Sequence, residues 1–173
     1  MERTVAVAST TKETGDPFAL KMVAPLEPAI ICFDIERMLQ FYQDILGLKL
    51  VGDVETPAEI AARLHISPHG YRIVRLQSPY GERIKLVQPK VHPKGRTAAD
   101  YVYERPGYAY MSFLVANMDE VFSRLRAHKL TIVSDGIVET RKGVWALFTR
   151  DPEGNFVEFV RYADIAAYRP DLL

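Results

Sequence analysis

From Ala29 to Phe33 five apolar residues run without a break, the pattern of a buried strand, and Asp34 ends the run with a side chain suited to cap a helix. Ile35, Met38, Leu39, Tyr42, Ile45 and Leu46 then recur at helical spacing and stop at Gly47, a helix C-terminal signal. Leu48 to Val54 resumes as a strand. Residues 56–64 predict a short inserted helix with Pro57 in its first turn, and Pro68-His69-Gly70 turns the chain back. Tyr71 to Gln77 and Glu82 to Gln88 predict a hairpin.

The same order returns further along. Tyr108 to Val115 predicts a strand, and Asn117 with Glu120 three residues on predicts a capping box. Val121, Phe122 and Leu125 supply a helix stripe, and Leu130 to Val138, Gly143 to Thr149 and Asn155 to Arg161 predict three more strands. The interval from Asp34 to Asn117 matches that from Leu48 to Leu130 within one residue, whereas that from Gly81 to Gly154 is shorter by the inserted helix. Each half is thus expected to be β-α-β-β-β, an α+β chain of tandem modules. Overlaying Ser78-Pro79-Tyr80-Gly81 on Asp151-Pro152-Glu153-Gly154 places Lys85 on Glu158, so one strand position holds a cation in one half and an acid in the other.

The pattern divides the chain into an arm (1–25), a first module (26–90), a linker (91–106), a second module (107–162) and a tail (163–173). The arm is polar with short apolar patches and is expected to dock on the body or on a second subunit. The stretch from Pro89 to Pro106 holds three prolines, Gly95 and four Lys or Arg, which makes it a joining segment.

Composition narrows the function. Of 173 residues, 48% are apolar, enough for a core, and Lys+Arg balance Asp+Glu at 22 each. With zero net charge and interspersed signs, neither nucleic acid nor an anionic membrane is the expected partner. A small molecule is. The single cysteine, Cys32, excludes an intrachain disulfide and any cysteine-rich metal site. No run approaches the about 20 apolar residues that span a bilayer, and charges through the first residues argue against a secretory signal, so a cytoplasmic location is expected. No glycine-rich phosphate loop or serine elbow occurs.

Phe41-Tyr42-Gln43-Asp44-Ile45-Leu46-Gly47-Leu48 after the first helix, and Asp151-Pro152-Glu153-Gly154-Asn155-Phe156-Val157-Glu158 at the last hairpin, resemble the vicinal oxygen chelate superfamily. That group includes glyoxalase I, methylmalonyl-CoA epimerase, extradiol dioxygenases and bleomycin-binding proteins. The resemblance covers about residues 27 to 162. It implies that the strands curl into a cup-like mixed sheet around a cavity, often closed across a homodimer interface. In its metal-dependent members a divalent ion is held at four positions, which fall here on Glu27, Lys85, Tyr110 and Glu158. Lys85 has no lone pair while charged, and Tyr110 stands where a histidine is expected, so the usual metal site is expected to be degraded and no metal ligand is assigned. Whether another cofactor is used stays unknown.

Each candidate carries two readings. Glu158 alternates with Phe156 and Val160 and is either a salt-bridge partner of Lys85 or a base. Lys85 is either a solvated strand lysine or, where the resemblance puts it, an ammonium that binds an anionic group or stabilises an enolate. Tyr110 is a core aromatic or a phenol donor aimed at a carbonyl. Glu27 is a strand-end charge or a cavity acid, and Trp145 a packing residue or an aromatic wall of the substrate site. His65 and His69 are separated by Pro68, which breaks the helix that would pair them on a metal. His92 and His128 suit the linker and a helix end. The expected function is metal-free proton transfer (isomerisation, epimerisation or elimination) on an oxygenated substrate. The rivals are a ligand-sequestering protein of the bleomycin-resistance type and a metal-dependent lyase or dioxygenase with a variant ligand set.

Overall fold

The computed structural model describes residues 23–92 and 107–172, so most of the arm and of the linker lie outside the described residues. The first half runs β1 (Ala29–Ile31), α1 (Ile35–Leu39) continuing as a π-helical stretch (Gln40–Ile45), β2 (Lys49–Thr56), α2 (Ala58–Arg63), β3 (Tyr71–Gln77) and β4 (Arg83–Pro89). The second half runs β5 (Tyr110–Leu114), α3 (Met118–Ala127), β6 (Val138–Arg141), β7 (Val144–Arg150) and β8 (Phe156–Tyr162), followed by a short helix, α4 (Ile165–Tyr168). The strands form two four-stranded sheets of identical topology, β1-β4-β3-β2 and β5-β8-β7-β6. In each the first strand lies parallel to the last, and the other pairs are antiparallel. The protein is therefore the mixed α+β tandem that the hydrophobic pattern implies.

Local chemistry sets the element ends. Asp34 is extended, and its carboxylate accepts from the Arg37 amide at 3.1 Å, capping α1. Gly81 and Gly154 occupy the same place in the two closing hairpins, with φ of +96° and +83°, where a side chain is strained. Gly70 is required for a different reason: a Cβ there would lie 2.6 Å from the Thr56 carbonyl oxygen where the chain recrosses the end of β2. Pro57 is extended and stands just ahead of α2, which starts at Ala58, rather than in its first turn, and no side-chain bond caps the helix.

Two expectations are corrected. The strand expected over Leu130–Val138 is absent up to Ile137, where Ile132 makes an isolated bridge to Thr149, and the edge strand is β6, which begins at Val138. Ser134 explains the break. Its hydroxyl accepts from the Phe148 amide at 3.1 Å and donates to the Gly136 carbonyl at 2.8 Å, so a side chain takes the place of a ladder group while Gly136 turns at φ +97°. Asn117 stands at the start of α3 without bonding a helix amide; at φ −102°, ψ 48° its amide nitrogen instead donates to Glu120 Oε2 at 2.9 Å. The capping box is replaced by a side-chain pair.

Both halves share one core. Ile30, Ile84, Leu86, Val74 and Leu76 from the first sheet join Leu147, Val157 and Phe159 from the second, with Ile35, Met38, Phe41 and Tyr42 of the first helix and Met118 and Leu125 of α3 between them. Alternation then sends the odd-numbered residues of β1, β3 and β4 and the even-numbered residues of β5, β7 and β8 to the faces turned away from this core. Polar ties close the joint between the halves. The Glu153 carboxylate accepts from the amides of Phe33 and Asp34, each at 2.9 Å, and Arg124 Nη2 donates to the Asp44 carbonyl at 2.8 Å. Among the described residues no helix is long and apolar enough to cross a membrane.

Candidate functional site

On the open face of the first sheet, Lys85 of β4 lies in register with Ala29 of β1 and Arg75 of β3. Lys85 Nζ stands 3.5 Å from one carboxylate oxygen of Glu27, just ahead of β1, and Arg83 Nη1 stands 3.7 Å from the other. Both separations exceed those of hydrogen-bonded ion pairs, about 2.7–2.9 Å. Glu27 and Lys85 each keep 28% of their side-chain surface exposed. Arg83 Nε also donates to the Gln77 side-chain carbonyl at 2.7 Å, its neighbour across the hairpin.

On the open face of the second sheet, Glu158 of β8 lies between Ser112 of β5 and Phe148 of β7. The Ser112 hydroxyl donates to Glu158 Oε2. Tyr110, two residues before Ser112 and therefore on the same face, meets the Phe148 ring edge-on at 5.2 Å and 76°. Carboxylate, hydroxyl, phenol and aromatic ring thus share one patch. Glu158 is half-buried, with apolar Phe156 and Val160 flanking it on the same face.

Of the five candidate residues, four lie on the open faces. Glu27 and Lys85 are brought together in the first half, and Tyr110 and Glu158 in the second. The partners of Lys85 and Glu158 are Glu27 and Ser112, not one another. Trp145 is placed elsewhere: it pairs with Arg161 across β7 and β8 on the helix side, where that guanidinium lies 4.4 Å above its ring and reaches Asp119 of α3 at 3.4 Å. Ser112, Phe148, Arg75 and Arg83 were not singled out by the sequence reading. The signal was available in strand alternation, which puts Ser112 with Tyr110 and Arg83 with Lys85, but the cross-strand partners needed the observed register.

The four positions do not fit a divalent ion. Lys85 occupies one of them as an ammonium held to the carboxylate of another, Glu27, and a third offers a phenol. Among the described residues no group of three or more His, Cys, Asp or Glu side chains is gathered as such an ion requires.

Two fused β-α-β-β-β modules on one core define the glyoxalase type of fold. The chain belongs to the Glyoxalase/Bleomycin resistance protein/Dioxygenase superfamily, whose family model matches residues 23–159. A glyoxalase family protein of Bacillus cereus is similar at 22% identity and a TM-score of 0.72, over 83% of this chain and 96% of that one. A domain of the same superfamily from Frankia sp. gives 16% identity and a TM-score of 0.63, over 82% and 93%. The trypanothione-dependent glyoxalase I of Leishmania major gives 20% and 0.56, over 85% and 91%. At these identities the likeness shows the fold. No curated protein matches the chain.

Proposed function

We propose that the protein binds a small oxygenated molecule over the open sheet faces and moves a proton on it without the superfamily's usual metal. The observation that carries this reading is the setting of Glu158. Its carboxylate is half-buried among apolar neighbours, and its hydrogen-bond partner is a neutral hydroxyl, Ser112, with no cation bound to it among the described residues. Such a carboxylate keeps lone pairs open toward a molecule bound at that face. Glu158 would take the proton from carbon next to a carbonyl. The C–H electrons pass to the carbonyl oxygen, which becomes an enolate oriented by the Tyr110 phenol and the Lys85 ammonium. Delivery of a proton to the opposite face of the same carbon epimerises the substrate, delivery to the former carbonyl carbon of an α-hydroxy ketone with transfer of its hydroxyl proton to the first oxygen isomerises it, and departure of a β-substituent with its bonding electrons eliminates.

Deuterium exchange tests this. Wild-type protein in heavy water should incorporate deuterium next to the carbonyl of at least one member of a panel of α-hydroxy ketones and 2-acyl carboxylates, and Glu158→Gln should lose the exchange by about a hundredfold or more. Exchange at the same rate in Glu158→Gln would overturn the assignment.

A second reading, ligand sequestration, is favoured by one observation: Lys85 already faces Glu27, and Tyr110 and Phe148 form an aromatic wall. Tight binding of a planar ligand without any exchange would select it. For either reading we propose a homodimer.

A further inference from the structure

Arg72 and Arg75 sit on the same strand, β3, and their surroundings differ. Arg72 faces the helix side, where Nη1 meets Glu36 at 2.6 Å and Nη2 meets Asp53 at 2.8 Å. Its hydrogen bonds hold the Asp53 carboxyl below its usual range. Arg75 faces the open side and, among the described residues, has neither ion pair nor hydrogen bond, although it is half-buried. Its stem lies over Gly52 of β2, where an added Cβ would sit 3.8 Å from Arg75 Cδ and Nη1.

Directly across the ladder from Arg75 stands Lys85, and Arg83 follows on the same face. Like charges opposite one another in an antiparallel pair are destabilising. Of these three cations only Lys85 and Arg83 have a carboxylate within reach among the described residues, the shared Glu27, at 3.5 and 3.7 Å. The arrangement becomes favourable when a second anion arrives. A guanidinium presents two parallel N–H donors that match a carboxylate or phosphate, and Arg75 has that fork open.

We propose that Arg75, with Lys85 and Arg83, receives an anionic oxygen group, a carboxylate or a phosphate ester, on the small molecule bound at the open face. This rests on the proposed function only in taking that face as the binding face. Arg75 sets specificity by its fork, and Glu27 holds the two remaining cations apart from it until the anion binds.

Calorimetric titration of the full chain with inorganic phosphate and with malonate tests the proposal. At low salt the wild type should bind at least one of the two saturably, the tighter of them naming the group, with affinity falling as sodium chloride is raised. Arg75→Gln should weaken binding about tenfold or more, Arg75→Lys by less, and Glu27→Gln should tighten it. Thermal melts without ligand should show Arg75→Gln at least as stable as the parent, since it relieves the repulsion with Lys85. Failure of both anions to bind saturably, or equal binding by Arg75→Gln, would overturn the inference. Glu158→Gln keeps the two proposals apart: it should bind the anions as the wild type does while losing deuterium exchange.

Discussion

The hydroxyl of Tyr42, fully buried in the first half, donates to Asp151 Oδ2 in the second half at 3.0 Å. Asp151 is buried too. It accepts from the amides of Glu153 and Asn155 and from the Asn155 side chain, all at 2.9 to 3.0 Å. Tyr42→Phe should therefore cost about 1–2 kcal/mol in urea unfolding, since the carboxylate keeps its other donors. Asp151→Ala, which empties the whole turn, should cost more, about 2–4 kcal/mol.

Tyr42 also sets a pH limit. Burial first, and then the negative charge of Asp151, push its pKa well above the ordinary 10.0. Because the folded value is the raised one, its contribution is intact below about pH 10 and is lost as the unfolded chain's tyrosine ionises above it. Stability measured from pH 8 to 11 should fall more gently above pH 10 in Tyr42→Phe than in the wild type. Parallel curves would show that Tyr42 does not carry the alkaline loss.

Those same residues show what was legible in the sequence. Asp151-Pro152-Glu153-Gly154 reads as a turn, and the turn is there, because Pro and Gly act on their own backbone. That Asp151 would receive Tyr42, and that Glu153 would cap the amides of Phe33 and Asp34, depends on how two halves dock, which no local pattern encodes. The repeat made the order of elements along the chain readable, since each half must satisfy the same hydrophobic period. The strand expected at Leu130–Val138 failed because Ser134 satisfies the backbone through its hydroxyl, a competition that hydrophobicity does not register. At the site, alternation related Glu158 to Phe156 and Val160 and the resemblance pointed to Tyr110, but neither pointed to Arg75, whose meaning lies in its partner across the ladder.

Trp145 offers an optical test of the binding face. It is the lone tryptophan and lies against Arg161 on the helix side, opposite the face of Glu158. Malonate or phosphate bound at the open face should leave its emission maximum in place, whereas Arg161→Leu should move it. A ligand-dependent shift of that maximum would put the ligand on the other face.

The proposed homodimer is tested on what the open faces leave uncovered. Ile31, Val54 and Leu114 point away from the core and remain 58%, 50% and 41% exposed. Exposed apolar side chains on edge strands are commonly covered by a partner or a ligand. Light scattering should return a mass of two chains at micromolar concentration, and Ile31→Glu should return one. A wild type that stays monomeric at every concentration would count against the dimer.

The metal expectation is decided by Lys85. A dication at the superfamily position would meet the Lys85 ammonium, which has no lone pair to offer while charged, and would have to break its contact with Glu27. Purified wild-type protein should therefore carry far less than one nickel, manganese or zinc ion per chain after exposure to the metal and desalting. Lys85→Glu with Tyr110→His would reverse both obstacles, leaving three carboxylates and an imidazole, an oxygen-rich set suited to those ions. Without metal this double variant sets two carboxylates, at positions 27 and 85, against each other, so its melting temperature should fall and then recover on adding the ion. Elemental analysis and a melt with and without chelator read the two effects separately. Stoichiometric metal in the parent, removed by chelator together with deuterium exchange, would mean that the reaction runs on a ligand set other than these four positions.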